Sequence, residues 1–250
     1  MKRPGAVALA VILAFCMIAS WQGDALAKTI ERKLKLCFTK TSETNLKGVV
    51  SRKVWPSGST LKIVFLDGDP ELQSKVAEVA REWTKYANLT FEFYGPSEAP
   101  ADSDVRVSFE YAGYWSYMGP GRRNPNKPTV SLETLGSEPD NEIQRVTLHE
   151  FGHVLGLYHE HQNPQANIQW NRDAVYEYFE QKQGWPRKLV DQEYLNPVNT
   201  NQVAYSTPFD PQSVMCYRVS PEFNADGILI DYNESLSEMD KAVIGRLYPR

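Results

Sequence analysis

From Leu61 to Leu66 the chain reads Leu-Lys-Ile-Val-Phe-Leu, a β-rich run that follows the turn Trp55-Pro56-Ser57-Gly58 and predicts a strand. The period then changes. Leu72, Val76, Val79, Ala80, Trp83 and Ala87 recur at helical spacing, with Asp69 placed as N-cap, Pro70 at the first helical position and Asn88 as the stop. Leu89 to Tyr94 alternates again, and Val105, Val107 and Phe109 share one face of a further strand. Residues 110–128 break the pattern. Tyr111, Tyr114, Trp115 and Tyr117 fall among glycines and prolines, as in a long aromatic loop that either rims a cleft or is pinned to the core. Thr129 to Leu132 predicts a short strand. Ile143, Val146 and Val154 mark the core face of a second long helix, for which Ser137 and Asp140 resemble a capping box with Pro139 in the first turn. A third helix, capped by Asn171, runs from about Arg172 to Gln183 with Val175, Tyr178 and Phe179 inward, and Gly184-Trp185-Pro186 stops it. Residues 186–211, rich in Pro, Asn and Gln, read as irregular. A last helix starts at Ser237, with Asp240 three residues on, and carries Val243, Ile244 and Leu247. The fold class is α+β: a twisted N-terminal sheet with two long helices, then a mostly irregular C-terminal lobe with a final helix.

The N-terminus follows different rules. Lys2 and Arg3 precede an apolar run from Ala6 to Ala19, and Ala25-Leu26-Ala27 closes a polar stretch. The run is too short to span a bilayer and reads as a signal peptide cut after Ala27, which predicts a secreted or periplasmic protein without stable membrane association. Residues 28–53 read as a short leader, and 54–250 as one catalytic domain. Cleavage removes Lys2, Arg3 and Asp24 and leaves 25 basic against 30 acidic residues. That balance contains no basic patch for nucleic acid. Two cysteines remain, Cys37 and Cys216, too few for a disulfide scaffold. A monomer is expected.

Candidate chemistry is concentrated in one place. Of four histidines, His149, His153 and His159 fall within eleven residues and His161 lies two further on. His149 and His153 are four apart, so a helix puts both imidazoles on one face, half of a tetrahedral zinc site. Glu150 is one position out of that register, where it can take a proton from water instead of binding metal. Gly156 can adopt the left-handed conformation that ends a helix, and the chain can then return His159 as a third ligand. Three ligands leave one position open, the mark of a catalytic rather than a structural site, with one Zn²⁺ per chain. A solvated polar helix end does not explain the apolar Phe151, Val154, Leu155 and Leu157 between the histidines.

Some sixty residues later comes Ser213-Val214-Met215-Cys216-Tyr217. The zinc motif with this methionine turn resembles the metzincin metalloproteases, and in detail the astacins: Glu160 follows the third histidine and the turn reads Ser-x-Met-x-Tyr. Gly113-Tyr114-Trp115-Ser116-Tyr117-Met118-Gly119 and the ending Leu236-Ser237-x-x-Asp240 to Leu247-Tyr248 are also similar to astacin stretches. The resemblance implies a two-lobed zinc endopeptidase acting on protein or peptide substrates. His149, His153 and His159 would be the zinc ligands and Glu150 the general base. Tyr217 would be a further resting-state ligand that turns to the oxyanion, and Met215 an apolar floor beneath the histidines. Glu160 would pair with the matured N-terminus, and the strand near Thr129–Leu132 would take an extended peptide.

The sequence also departs from that family. Tyr114 stands where a disulfide cysteine is usual, and residues 28–53 lack the inhibitory Phe-x-Gly-Asp segment. Cys37 is the strong zinc ligand of the leader and reads as a latency switch, with a Cys37–Cys216 disulfide and free thiols as the alternatives. Arg122, Arg123 and Arg145 read as solvated cations, or else as contacts for acidic substrate side chains. The competing function is a catalytically silent zinc-containing relative that binds peptides or a partner.

Overall fold

The computed structural model describes residues 37–40, 53–121, 124, 126–199, 204 and 206–250, with the backbone alone for 37–40. The expected signal peptide and its cleavage after Ala27, most of the expected leader, and Arg122 and Arg123 lie outside these residues. A six-stranded sheet is built from β1 (Cys37–Lys40), β2 (Thr60–Phe65), β3 (Thr90–Tyr94), β4 (Val105–Ser108), β5 (Tyr114–Tyr117) and β6 (Val130–Leu132). The strand order is β1-β5-β6-β4-β2-β3, parallel throughout except for the antiparallel β5–β6 pair. Two differences from the sequence reading follow. Tyr114–Tyr117, expected inside an aromatic loop, is a strand. The strand near Thr129–Leu132, expected to receive substrate, is interior, flanked by β4 and β5. β1, which falls in the expected leader, is the edge strand beside β5 and pairs with it in parallel, Cys37 opposite Tyr114 and Thr39 opposite Ser116.

Helix α1 (Pro70–Ala80) begins as expected: Asp69 Oδ1 accepts from the backbone N–H of Glu71 and Leu72 at 3.0 Å each. It is shorter than its apolar period. After Ala80 the chain tightens into the 3₁₀ turn Trp83–Lys85, and Trp83 Nε1 donates to Leu148 O at 3.0 Å, anchoring the indole to the second long helix. That helix, α2, spans Asp140–Val154. Its N-cap is Pro139 and no side chain caps it, because Ser137 closes a preceding 3₁₀ turn, Leu135–Ser137. Asp140 and Glu142 in its first turn complement the exposed N–H groups instead.

In the C-terminal half α3 (Arg172–Gln183) has the expected Asn171 cap and ends at Gly184 with φ +64°. The stretch expected to be irregular contains α4 (Arg187–Val190), which runs on into a π-turn over Asp191–Leu195. Helix α5 (Glu238–Leu247) carries the full Ser237–Asp240 capping box. Two hydrophobic clusters result. One joins the sheet to α1, α2 and α5 and includes Val214 and Met215; the other gathers Val175, Phe179, Trp185, Tyr194 and Phe223 with Cys216 and Tyr217. Among the described residues no helix is long and apolar enough to cross a membrane.

Candidate active site

The last turn of α2 carries the histidines, and its end is closed on every side. Gly156 has φ +94°, its N–H donates to His153 O at 2.8 Å, and Leu157 N–H donates to Gly152 O at 2.9 Å, a Schellman ending. The remaining carbonyls find distant donors: Trp55 Nε1 to Val154 O at 2.8 Å and the Tyr248 hydroxyl to Leu155 O at 2.7 Å. The chain then turns back, and His159 joins the other two.

His149, His153 and His159 are buried, and one nitrogen from each lies within 4.8 Å of the others. His149 Nδ1 is 2.8 Å from Val214 O, and His153 Nδ1 is 2.7 Å from Leu157 O. A carbonyl only accepts, so both Nδ1 atoms carry hydrogen and, in the neutral rings, both Nε2 atoms present lone pairs. Burial holds His149 well below the ordinary histidine range and His153 down to about 4, so both rings are neutral near pH 7. His149 Nε2 is buried without a hydrogen-bond partner, and His153 Nε2 lies 3.0 Å from His159 Nε2. Tetrahedral zinc at its usual Zn–N distance separates two ligand nitrogens by about 3.3 Å. These residues fit that ion: three imidazoles with clustered nitrogens, two of the rings neutral, and one pair near the required spacing.

Of the other residues singled out in the sequence, Tyr217 lies against the histidine rings, Met215 lies against their helix, and Glu150 is on that helix. Glu150 is buried on α2, and Ser116 Oγ lies 2.7 Å from its Oε2 and 3.0 Å from its carbonyl oxygen. Tyr217 is buried, its ring centroid 4.2 Å from His159 and 5.7 Å from His149. Met215 lies beneath α2 at Gly152, where an added Cβ would be 2.3 Å from the Met215 sulfur. Glu160 is buried beside a small cavity bordered also by Asp210, Asp240 and Met215, and among the described residues no lysine or arginine lines it. Burial, against hydrogen bonds from Asn163 Nδ2 and Asp210 N–H, pushes the Glu160 carboxyl up to about 8.

Two alternatives from the sequence fail. Cys216 is a free, buried thiol, so no Cys37–Cys216 disulfide forms. Arg145 is buried rather than solvated, paired with Glu142 at 2.6 Å and stacked 4.4 Å over Tyr232. The sequence reading missed Ser116, Gly152 and the part played by Asp240. Asp240 caps α5, yet its carboxylate also accepts from Ser213 Oγ at 2.6 Å and from Val214 N–H at 2.9 Å. It thus fixes the turn whose carbonyl holds His149. A buried aspartate at the third position of a capping box was a usable signal only for the helix.

Comparison with known proteins agrees with this geometry. The family described as Astacin, a peptidase family, matches residues 49–246. Myroilysin superposes with a TM-score of 0.75 at 37% identity, covering 80% of this chain and 98% of that one. The hatching enzyme High choriolytic enzyme 1 of Oryzias latipes shares the fold, with a TM-score of 0.52 at 15% identity over 84% of this chain and 98% of its own. Among curated relatives, Tolloid-like protein 1 of Homo sapiens is 26% identical over 140 residues, 54% of this chain but 13% of that protein's length. The chain spans a similarly small share, 13%, of the sea-urchin (Strongylocentrotus purpuratus) Bone morphogenetic protein 1 homolog, at 30% identity over 36% of this chain. With a zinc-fitting histidine cluster and a family match over most of its length, the chain belongs to the astacin family of peptidases and is a zinc metalloendopeptidase.

Proposed function

We propose that this chain is a secreted, latent endopeptidase in which Glu150 is the general base and Tyr217 the oxyanion donor. The observation that supports the reading is the cluster of His149, His153 and His159, with the Tyr217 ring 4.2 Å from His159 and Glu150 buried beside His149 on the same helix. His149, His153 and His159 would hold a zinc ion, which would supply Lewis acidity to water and to the substrate carbonyl. Glu150 takes the proton of the attacking water and returns it to the leaving amine. Ser116 donates to Oε2 and keeps the carboxylate aimed. Tyr217 donates a hydrogen bond from its hydroxyl to the developing oxyanion. An extended substrate pairs with β5, the edge strand of the domain.

Latency rests on residues 28–53, which follow a signal peptide cut after Ala27. The leader strand Cys37–Lys40 pairs with β5 and so takes the edge a substrate needs. Cys37 is the leader's zinc ligand. Removal of the leader frees the domain from residue 54 onward, and the new N-terminal ammonium pairs with Glu160 in its carboxylate-lined cavity.

The test measures zinc content and casein hydrolysis on the secreted protein before and after limited proteolysis, with Glu150→Ala and Cys37→Ser alongside. The expected result is one zinc per chain, activity appearing on cleavage, several orders of magnitude less in Glu150→Ala at unchanged zinc, and early activity in Cys37→Ser. Retained turnover in Glu150→Ala sinks the general-base assignment; a Cys37→Ser precursor as latent as its parent sinks the switch.

A further inference from the structure

His161 is the one histidine the zinc chemistry leaves unused. It is buried on the 3₁₀ turn Glu160–Gln162, directly after the third ligand, yet outside the group of nitrogens that converge for a metal. Its Nδ1 lies 3.4 Å from the backbone N–H of Tyr217, which donates to it. Its ring lies nearly parallel to the Tyr217 phenol, 17° apart with centroids 4.6 Å distant. His159, His161 and Tyr217 form a triangle of ring centroids with sides of 4.2, 4.6 and 5.3 Å. Tyr194, whose hydroxyl is fixed on Arg218 O at 2.8 Å, supports His161 from the C-terminal core at 5.0 Å.

We infer that His161 is a positioning residue for Tyr217: its ring face and its Nδ1 together hold the phenol in the corner beside His159. The inference rests on the oxyanion role given to Tyr217 above. A phenol set beside the ligand rings needs both a surface to lie against and a fixed backbone, and His161 supplies each from one side chain. A histidine that served only as core filler would be replaceable by any apolar ring without consequence for Tyr217.

The test is a double-mutant cycle. His161→Phe keeps a ring and removes the acceptor; His161→Asn keeps an acceptor and removes the ring. Each is made in the parent and in Tyr217→Phe, in the processed enzyme. Zinc content and kcat and KM on a peptide substrate are measured, with the phenolate-to-metal absorbance of the copper(II)-substituted protein as the readout independent of turnover. At least one His161 variant should lower kcat about three- to tenfold, the equivalent of one aromatic contact, with KM and metal content held. It should also weaken or shift the copper band, and its kcat loss should vanish in the Tyr217→Phe background. Parental kcat and absorbance in both variants overturn the inference, as does a loss that persists in Tyr217→Phe. If Tyr217→Phe itself leaves kcat and the copper band unchanged, the role of Tyr217 fails first, an outcome the cycle separates from failure of His161 alone.

Discussion

Replacing Asp240 by alanine should damage both stability and metal binding, although Asp240 touches no ligand. Its carboxylate accepts from Ser213 Oγ at 2.6 Å, Val214 N–H at 2.9 Å and Ser237 N–H at 3.0 Å. The first two donors are buried, and each loses its carboxylate partner, at about 1–3 kcal/mol apiece. Ser237 N–H lies at the helix start and is partly wet, so its loss adds little. An opposing effect reduces the sum. Burial raises the Asp240 carboxyl above its ordinary value despite those hydrogen bonds, so the ionised group is itself costly to keep inside. We therefore expect a net loss of about 2–4 kcal/mol, read as a lower urea midpoint at unchanged slope in the metal-free protein. The second effect travels through Val214. Its N–H is held by Asp240 and its carbonyl holds His149 Nδ1, so a loosened turn frees one ligand ring to rotate. Loss of such a support lowers metal affinity by roughly 10- to 100-fold, measurable by competition with a chromophoric chelator. An Asp240→Ala protein with parental midpoint and parental zinc affinity would falsify the link from α5 through the methionine turn to His149.

Ser116→Ala removes the donor 2.7 Å from Glu150 Oε2 and should lower kcat about 10- to 100-fold, the range for a hydrogen bond to a charged group, while zinc content stays at parental level. Unchanged kcat would remove Ser116 from the machinery. Gly152→Ala places a Cβ 2.3 Å from the Met215 sulfur, so the thioether must leave its seat; we expect about 1–3 kcal/mol of destabilisation by urea titration, and a parental midpoint would show that Met215 moves freely.

The sequence disclosed what is local and periodic. Asp69 and Pro70 start α1, Asn171 starts α3 and the Ser237–Asp240 box starts α5, because each signal acts within three residues. The histidine spacing was legible for the same reason: one helical turn and one glycine turn fix the geometry. What was missed depends on partners far along the chain. Tyr114–Tyr117 has no alternation to read, since Tyr114, Trp115 and Ser116 are all buried, and only its pairing with β6 and the leader makes it a strand. Ser137 offered a plausible cap for α2 but is consumed by the turn before it. Arg145 reads as a surface cation until Glu142 and Tyr232, the latter from the C-terminal half, close around it. Ser116 and Asp240 act across 34 and 26 residues, beyond any spacing rule.

The same distinction explains why the metal centre sits where it does. Val214 and Met215 belong to the core beneath the sheet, and Cys216 and Tyr217 to the core of the C-terminal lobe. The methionine turn therefore crosses from one hydrophobic cluster to the other within a single peptide bond. His149 is held by the near side of that crossing through Val214 O, while the Tyr217 ring rests against His159 from the far side. Glu160 N–H, the residue after the third ligand, donates to Met215 O at 2.9 Å and ties the returning loop to the same crossing. His149, Tyr217 and the loop that returns His159 are thus anchored within a few residues of one turn, while His153 is held by Leu157 O. A shift of that turn moves ligands and oxyanion donor together, which keeps their mutual geometry.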